Sequence, residues 1–96
     1  MGDEIIVVKP LRIQIECFWE RPESFYDKDA RMRRYVEHGF PGVKLRCFTF
    51  YVINYWAYRV IYDYEAPPET ITNAMQVLHS ITKRFYKHTV RCTVCY

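Results

Sequence analysis

The sequence predicts an α+β fold, a ferredoxin-like βαββαβ sandwich with a four-stranded antiparallel sheet and two helices on one face. Three observations predict it: four segments with strand character, two segments with helical spacing, and their order along the chain. Two right-handed crossovers fold the order strand, helix, strand, strand, helix, strand into such a sheet. A chain of 96 residues holds one core. We therefore expect a single domain over residues 1–96, with residues 1–10 as an extra strand or N-terminal arm.

The first strand and the first helix differ in the spacing of their apolar residues. Leu11 to Trp19 alternates between apolar and mostly polar residues, which is typical of a strand with one buried side. Ser24 then begins a sequence that imitates a capping box, and apolar residues at helical spacing continue to His38. Gly39 stands where a helix commonly ends in the left-handed conformation, and Pro41 prevents the helix from resuming.

The middle of the chain predicts a β-hairpin. Val43 to Tyr64 is rich in β-branched and aromatic residues, but it is too long for one strand in so small a domain. Asn54 is the only turn-forming residue inside it. We therefore predict strands over Val43–Ile53 and Tyr55–Glu65, with the turn within residues 53–58.

The last third of the chain predicts a second helix and a fourth strand. Ala66 to Glu69 contains two prolines, which are tolerated in the first turn of a helix. From Ile71 to Phe85 apolar residues recur at intervals of three and four, and basic residues crowd the end of the segment, where they oppose the helix dipole. Thr89 to Tyr96 alternates again and predicts the final strand.

Two helices on one face leave the other face of the sheet uncovered, and the alternation predicts which side chains stand there. The second-strand residues taken as core are Leu45, Cys47, Tyr51 and Ile53. On this uncovered face we expect five cations against two acids, Glu16 and Asp63. The candidate binding residues on it are Arg12, Gln14, Lys44, Arg46, Phe48, Phe50, Arg59 and Arg91.

A basic surface with aromatic rings in it suits two kinds of partner. Ferredoxin-like chains of this length often pack two copies face to face, as in dimeric α/β barrels, so we favour a homodimer or another protein partner. The alternative is single-stranded nucleic acid, above all RNA, because cations hold phosphates while bases stack on rings at roughly 1–3 kcal/mol each. In both cases the protein is a small non-catalytic binding module.

The element order and two segments resemble an RNA recognition motif. Ala57 to Glu65 looks like the third strand of that family, and Ala74 to Leu78 looks like part of its second helix. The resemblance is topological, covers most of the chain and implies an RNA-binding sheet face. The chain departs from the family pattern because the third strand lacks the basic residue and glycine at its start, and because Gln14 stands where an exposed ring is usual.

No motif in the chain names a reaction, and we expect no cofactor. Cys92 and Cys95 match C-x-x-C, but an offset of three in an alternating strand sends their side chains to opposite faces, so we expect no metal site. Asp63 and Glu65 share one strand face and could act as acid and base, so a small ferredoxin-like enzyme is the second alternative. The histidines have no acid or nucleophile at an informative spacing and are expected to be solvated: His38, His79 and His88.

Composition and the N-terminus set the remaining expectations. Aromatic residues make up 18% of the chain, which is too many for so small a core, so some are expected on the surface. The acidic start and the lack of a long apolar segment predict a cytoplasmic protein without a membrane segment. The cysteines are expected to be buried free thiols, with a Cys17–Cys92 disulfide as a minor hypothesis. The small size and the lack of a catalytic signature fit an accessory or virus-encoded adaptor. The basic residues of the first helix are expected to form a solvated face: Lys28, Arg31, Arg33 and Arg34.

Overall fold

The computed structural model describes residues 9–20, 25–85 and 89–95, and within them the helices and strands follow the predicted order. They are β1 (Leu11–Glu20), α1 (Phe25–Gly39), β2 (Lys44–Val52), β3 (Ala57–Ala66), α2 (Ile71–Arg84) and β4 (Val90–Cys95). A 3₁₀ turn over Pro68–Thr70 leads directly into α2. The predicted capping residue Ser24, residues 1–8 of the predicted arm, and His88 lie outside the described residues.

The strands form one antiparallel sheet in the order β2-β3-β1-β4, which confirms the predicted ferredoxin-like topology. The buried side chains of β1 are the ones that the alternation predicts: Leu11, Ile13, Ile15, Cys17 and Trp19. From the helix layer, Met32 and Val36 of α1 and Leu78 and Ile81 of α2 are buried in the same core cluster. Neither described helix has the length and apolar character needed to cross a membrane.

The turn between β2 and β3 is organised by one asparagine side chain. Oδ1 of Asn54 accepts hydrogen bonds from the backbone N–H groups of Trp56 (2.8 Å) and Ala57 (2.9 Å). This places the turn within the predicted range, with the residue that predicted it at its centre. Ile53, which regular alternation assigns to the core, lies at this turn and is 52% exposed.

Two glycines fit the close contacts around the end of α1. A Cβ on Gly39 would clash with Cγ1 of Val77, so the glycine allows α1 to approach α2 closely. The left-handed conformation that was predicted for Gly39 belongs instead to Gly42, whose φ is 80°. A Cβ at Gly42 would also meet Pro67 at 3.0 Å, so a larger residue there would be strained in both respects.

A β-bulge in β2 changes the alternation of that strand. Leu45 lies opposite Tyr64, but the next pairing joins Cys47 to Asp63, which leaves Arg46 as the extra residue. In a strand, one extra residue moves every later side chain to the opposite face of the sheet. Every residue of β2 after the bulge therefore faces the side opposite to the one predicted.

This shift overturns the predicted placement of Phe48 and Phe50 on the uncovered face. Both lie opposite buried residues of β3, on the side that carries the helices. Their ring centroids are 5.8 and 5.2 Å from that of Phe25 at the start of α1. Phe48 and Phe50 therefore pack beneath α1, while Cys47 and Tyr51, predicted as core, face the uncovered side.

A polar contact fastens α1 to the sheet inside this aromatic layer. The buried Tyr62 donates a hydrogen bond from its hydroxyl to Oδ1 of Asp29 (2.6 Å), which also accepts one from Nε of Arg33 (2.9 Å). Burial and this hydrogen bond raise the pKa of the Tyr62 phenol far above its ordinary value. Arg33, expected to be solvated, is half-buried, with its guanidinium carbon 5.3 Å from the ring centre of Phe48.

Candidate interaction surface: the open sheet face

The face of the sheet without helices, called the open face below, is built from alternate residues of all four strands. Cross-strand pairing aligns these residues in rows across the sheet. They are Arg12, Gln14, Glu16 and Phe18 of β1; Arg59, Ile61, Asp63 and Glu65 of β3; Lys44, Arg46, Cys47, Thr49 and Tyr51 of β2; and Arg91 and Thr93 of β4. The open face thus has three carboxylates among these residues, not two.

Two arginine–carboxylate pairs join the central strands β1 and β3 diagonally. Arg12 contacts Asp63 with both Nη2 to Oδ2 (2.7 Å) and Nε to Oδ1 (3.3 Å). Arg59 contacts Oε2 of Glu16 through Nη2 (2.7 Å) and Nε (3.1 Å). These forked contacts use the planar guanidinium in the geometry that favours carboxylates, so each arginine is oriented and neutralised within the chain.

A third pair links the bulge of β2 to β3. Nη1 of Arg46 lies 3.4 Å from Oε1 of Glu65, and the exposed Lys44 lies directly opposite the same glutamate. The bulge therefore leaves Arg46 on the side where a carboxylate is available. With this contact, Glu16, Asp63 and Glu65 of the open face are each paired with an arginine.

Arg59 also lies between two aromatic rings of the open face. Its guanidinium carbon is 5.8 Å from the ring centre of Phe18 and 5.3 Å from that of Tyr51. Both rings are partly exposed, at 40% and 46%. The open face therefore carries aromatic rings as predicted. Phe18 stands where the alternation of β1 predicts it, and Tyr51 takes the place of Phe48 and Phe50.

Six of the eight candidate residues stand on the open face: Arg12, Gln14, Lys44, Arg46, Arg59 and Arg91. Their role in binding stays a prediction. Tyr51 was missed as a member of this face because β2 was read with uninterrupted alternation. Glu65, which shares a strand face with Asp63, was not counted among the acids of the face. A signal for the bulge is present in the sequence: polar residues are two apart at Lys44 and Arg46, but the next is Thr49, three further on.

The structure also bears on the predicted chemistry of the cysteines and acids. Cys17 and Cys92 are free thiols on the helix-covered side, and burial raises the pKa of both. Cys47, expected to be buried, is exposed on the open face because of the bulge. Asp63 and Glu65, considered as an acid–base pair, are each held by an arginine.

The remaining candidate sites are simple to place. Within residues 9–20, 25–85 and 89–95, no cluster of three or more His, Cys, Asp or Glu could hold a metal ion. His38 and His79 are exposed, as expected. The side chain of Cys95, the second cysteine of the C-x-x-C motif, lies outside the described residues.

Comparison with known proteins supports the fold and leaves the activity open. No protein-family model matches the chain, and no curated protein sequence does. The de novo designed protein Foldit4 is similar over 92% of this chain and 98% of its own, with a TM-score of 0.62 and 17% identity. The C-terminal domain of the MgtC protein from Mycobacterium tuberculosis is similar over 96% of this chain and 93% of its own, with a TM-score of 0.57 and 12% identity. At these identities the likeness establishes a small α+β domain and no particular function.

Proposed function

We propose that the protein is a non-catalytic binding module whose open face packs against a second copy of the same chain. The observation that carries the proposal is the pairing of Arg12, Arg46 and Arg59 with carboxylates of their own sheet. Five unpaired cations would repel their copies across an interface. Cations that are already neutralised can be covered by protein at a lower electrostatic cost.

The order of charges along the central strands makes the open face complementary to itself. Arg12 and Glu16 follow each other on β1, and antiparallel β3 places Asp63 beside Arg12 and Arg59 beside Glu16. A two-fold axis that runs along the sheet between β1 and β3 would lay β1 of one copy over β3 of the other. Each arginine would then face a carboxylate of the other copy, and each contact would occur twice.

The size of the open face is suitable for a weak or moderate dimer. Strands of 10, 9, 10 and 6 residues form the sheet. With about 4.8 Å between strands and about 3.3 Å per residue, they provide about 550 Å² of flat area. Side chains that stand on the sheet raise the accessible area toward the roughly 800 Å² that each partner buries in a standard interface. Ile61 supplies an apolar centre, and Phe18 and Tyr51 extend it at one end.

Single-stranded nucleic acid is less well supported on the same surface. Phosphates would have to displace Asp63 and Glu16 from their arginines, and Phe48 and Phe50 lie on the side that carries the helices, away from these arginines. Binding of an oligonucleotide by the monomer would therefore contradict the proposed self-association.

The proposal is tested by measuring the mass of the protein in solution over a range of concentrations at low and high salt. We expect the wild-type chain to form a dimer. Ile61→Glu places a charge at the centre of the open face and should give a monomer that keeps its circular dichroism spectrum. Met75→Glu makes the same kind of change at a side chain of α2 that is 75% exposed, and it should leave the dimer unchanged.

A measurement on the wild-type chain keeps the test independent of whether Ile61→Glu folds. Cys47 is an exposed thiol on the open face. Its alkylation should slow as the protein concentration rises, because self-association covers it. A chain that stays monomeric at every concentration, or a Cys47 thiol whose reactivity does not change, contradicts the proposal. A monomer that binds a single-stranded oligonucleotide with a steep salt dependence would replace it with the nucleic-acid function.

A further inference from the structure

A cleft of about 650 Å³ opens at the end of the sheet where β1 ends and β3 begins. The buried rings of Trp19 and Phe85 line it, and three cations from the helices and one carboxylate, Glu20 at the end of β1, also line it. Lys28 and Arg31 come from α1, and Arg84 comes from the last residue of α2. The volume lies within the range of about 300–1,000 Å³ that is usual for small-molecule sites.

Aromatic rings lie close to all three cations. Nζ of Lys28 lies 5.7 Å from the ring centre of Trp19, and the guanidinium carbon of Arg31 lies 5.5 Å from that of Phe85. The guanidinium carbon of Arg84 lies 5.1 Å from the ring centre of Tyr35, which in turn makes an edge contact with Phe85. The cations and rings thus form one continuous group around the cleft.

The arginines of the cleft differ from those of the open face in their partners. In the described part of the chain, Arg31 and Arg84 form no ion pair with a carboxylate, whereas Arg12, Arg46 and Arg59 each do. A ring face orients a guanidinium but leaves its positive charge in place. The donors of Arg31 and Arg84 are therefore positioned and still able to bind an anion.

We propose that this cleft binds a small molecule that has an anionic head group and an apolar body. Arg31 and Arg84 would donate hydrogen bonds to the head group, since guanidinium groups bind carboxylates and phosphates through paired N–H donors. The apolar body would pack along the wall that Trp19, Ile53 and Phe85 provide. The cleft shares Phe18 with the open face, but Ile61 is not among its lining residues, so Ile61→Glu should leave the cleft intact.

The first test uses two fluorescent probes that differ in charge. The probe 8-anilinonaphthalene-1-sulfonate carries a sulfonate on an apolar ring system, and N-phenyl-1-naphthylamine has the same rings without the sulfonate. We expect the anionic probe to bind the wild-type chain at least about tenfold more tightly than the neutral one. In a Trp56→Phe background, Trp19 is the single tryptophan, and the bound anionic probe should quench its emission.

The second test removes the proposed head-group ligands. Arg31→Gln/Arg84→Gln should weaken binding of the anionic probe about tenfold or more and leave binding of the neutral probe unchanged. Arg34→Gln/Lys9→Gln removes the same amount of charge from two exposed positions outside both the cleft and the open face, and it serves as the matched control. Competition with octanoate, octyl phosphate and octanol then shows whether the head group is a carboxylate or a phosphate, and octanol should not compete.

Several results would overturn the proposal. Equal binding of the two probes to the wild-type chain would show that the charge is not recognised, and this result needs no variant. An equal loss in the Arg34→Gln/Lys9→Gln control would show that only the net charge of the protein matters. Unchanged binding of the anionic probe in folded Arg31→Gln/Arg84→Gln, or no quenching of Trp19, would place the probe elsewhere.

Discussion

The two faces of the sheet are made from alternate residues of the same strands, but different interactions hold them. On the helix-covered face, β3 presents buried rings, and Tyr58 stacks on Phe50 with 5.2 Å between ring centroids. On the open face, the charged residues of β3 pair with oppositely charged side chains, as Asp63 does with Arg12. The helix-covered face is held by the packing of apolar side chains. The open face is held by ion pairs between charges that alternate along its strands.

This difference indicates where the stability of the fold resides. Burial of an aromatic or large aliphatic side chain contributes about 1.5–3 kcal/mol or more, whereas a half-exposed ion pair contributes about 0–1 kcal/mol. The helix-covered face therefore carries most of the stability, and the open face can exchange its charges at small cost. A surface that contributes little to folding is the one that is available for recognition.

The largest expected effect on the free energy of unfolding comes from removing a ring of β2. Two rings that face opposite sides of the sheet are removed in separate variants. Phe48→Ala removes a ring that contacts Phe25 and Tyr62 and should lower the free energy of unfolding by about 2–4 kcal/mol. Tyr51→Ala removes a ring that is 46% exposed and should cost about 1 kcal/mol or less, mainly its contact with Arg59. Urea unfolding of both variants measures the difference. The reverse order would show that β2 alternates without a bulge.

A smaller effect is expected from the hydroxyl of Tyr62, and it depends on pH. Tyr62→Phe removes the hydrogen bond to Asp29 and should cost about 1–2 kcal/mol near neutral pH. The raised pKa of Tyr62 means that above about pH 10 the unfolded chain releases a proton that the folded chain keeps. Stability is then lost as pH rises, by about 1.4 kcal/mol per unit for each such group.

The measurement is the free energy of unfolding of the wild type and of Tyr62→Phe between about pH 8 and about pH 11. This range spans the ordinary tyrosine pKa of about 10. The variant lacks one of the groups that lose stability at alkaline pH, so its difference from the wild type should shrink above about pH 10. Cys17 and Tyr64, whose pKa values burial also raises, remain in both proteins and affect both curves alike. A difference that stays constant with pH would show that Tyr62 does not resist ionisation in the fold.

The smallest expected effect lies on the open face. In a double-mutant cycle, Arg12→Gln and Asp63→Asn should show a coupling of about 1 kcal/mol or less, because the two side chains are 40% and 30% exposed. The coupling should fall further in high salt, since exposed charges are screened. A coupling of several kcal/mol, measured by urea unfolding, would mean that the open face is a structural element and would weaken its assignment as a recognition surface.

The sequence predicted the fold well where one periodicity continues without interruption. β1 is central and alternates over its whole length, so its core residues from Leu11 to Trp19 were assigned correctly. β2 is an edge strand, and one extra residue at Arg46 reversed the assignment of Phe48 and Phe50. The only sign of the inserted residue in the sequence is the three-residue spacing between the polar residues Arg46 and Thr49. Because apolar residues surround these positions, the spacing is easily overlooked.

The cleft could not be predicted from local patterns. Lys28 and Arg31 look like part of a solvated helix face, and Arg84 looks like a cation that opposes a helix dipole. Their convergence depends on how α1 and α2 lie on the sheet, which brings residues more than fifty positions apart to one end of the molecule. Ion pairing on the open face is similar, because the partners of Arg12 and Arg59 come from another strand.

The bulge at Arg46 also has a consequence for how copies of the chain could join through their strand edges. Endless growth of a sheet from copy to copy requires that β2 of one molecule hydrogen-bond to β4 of the next, so both edges must offer a regular row of backbone groups. The irregular backbone at Arg46 interrupts that row on one side. The bulge thereby hinders head-to-tail addition through the β2 edge.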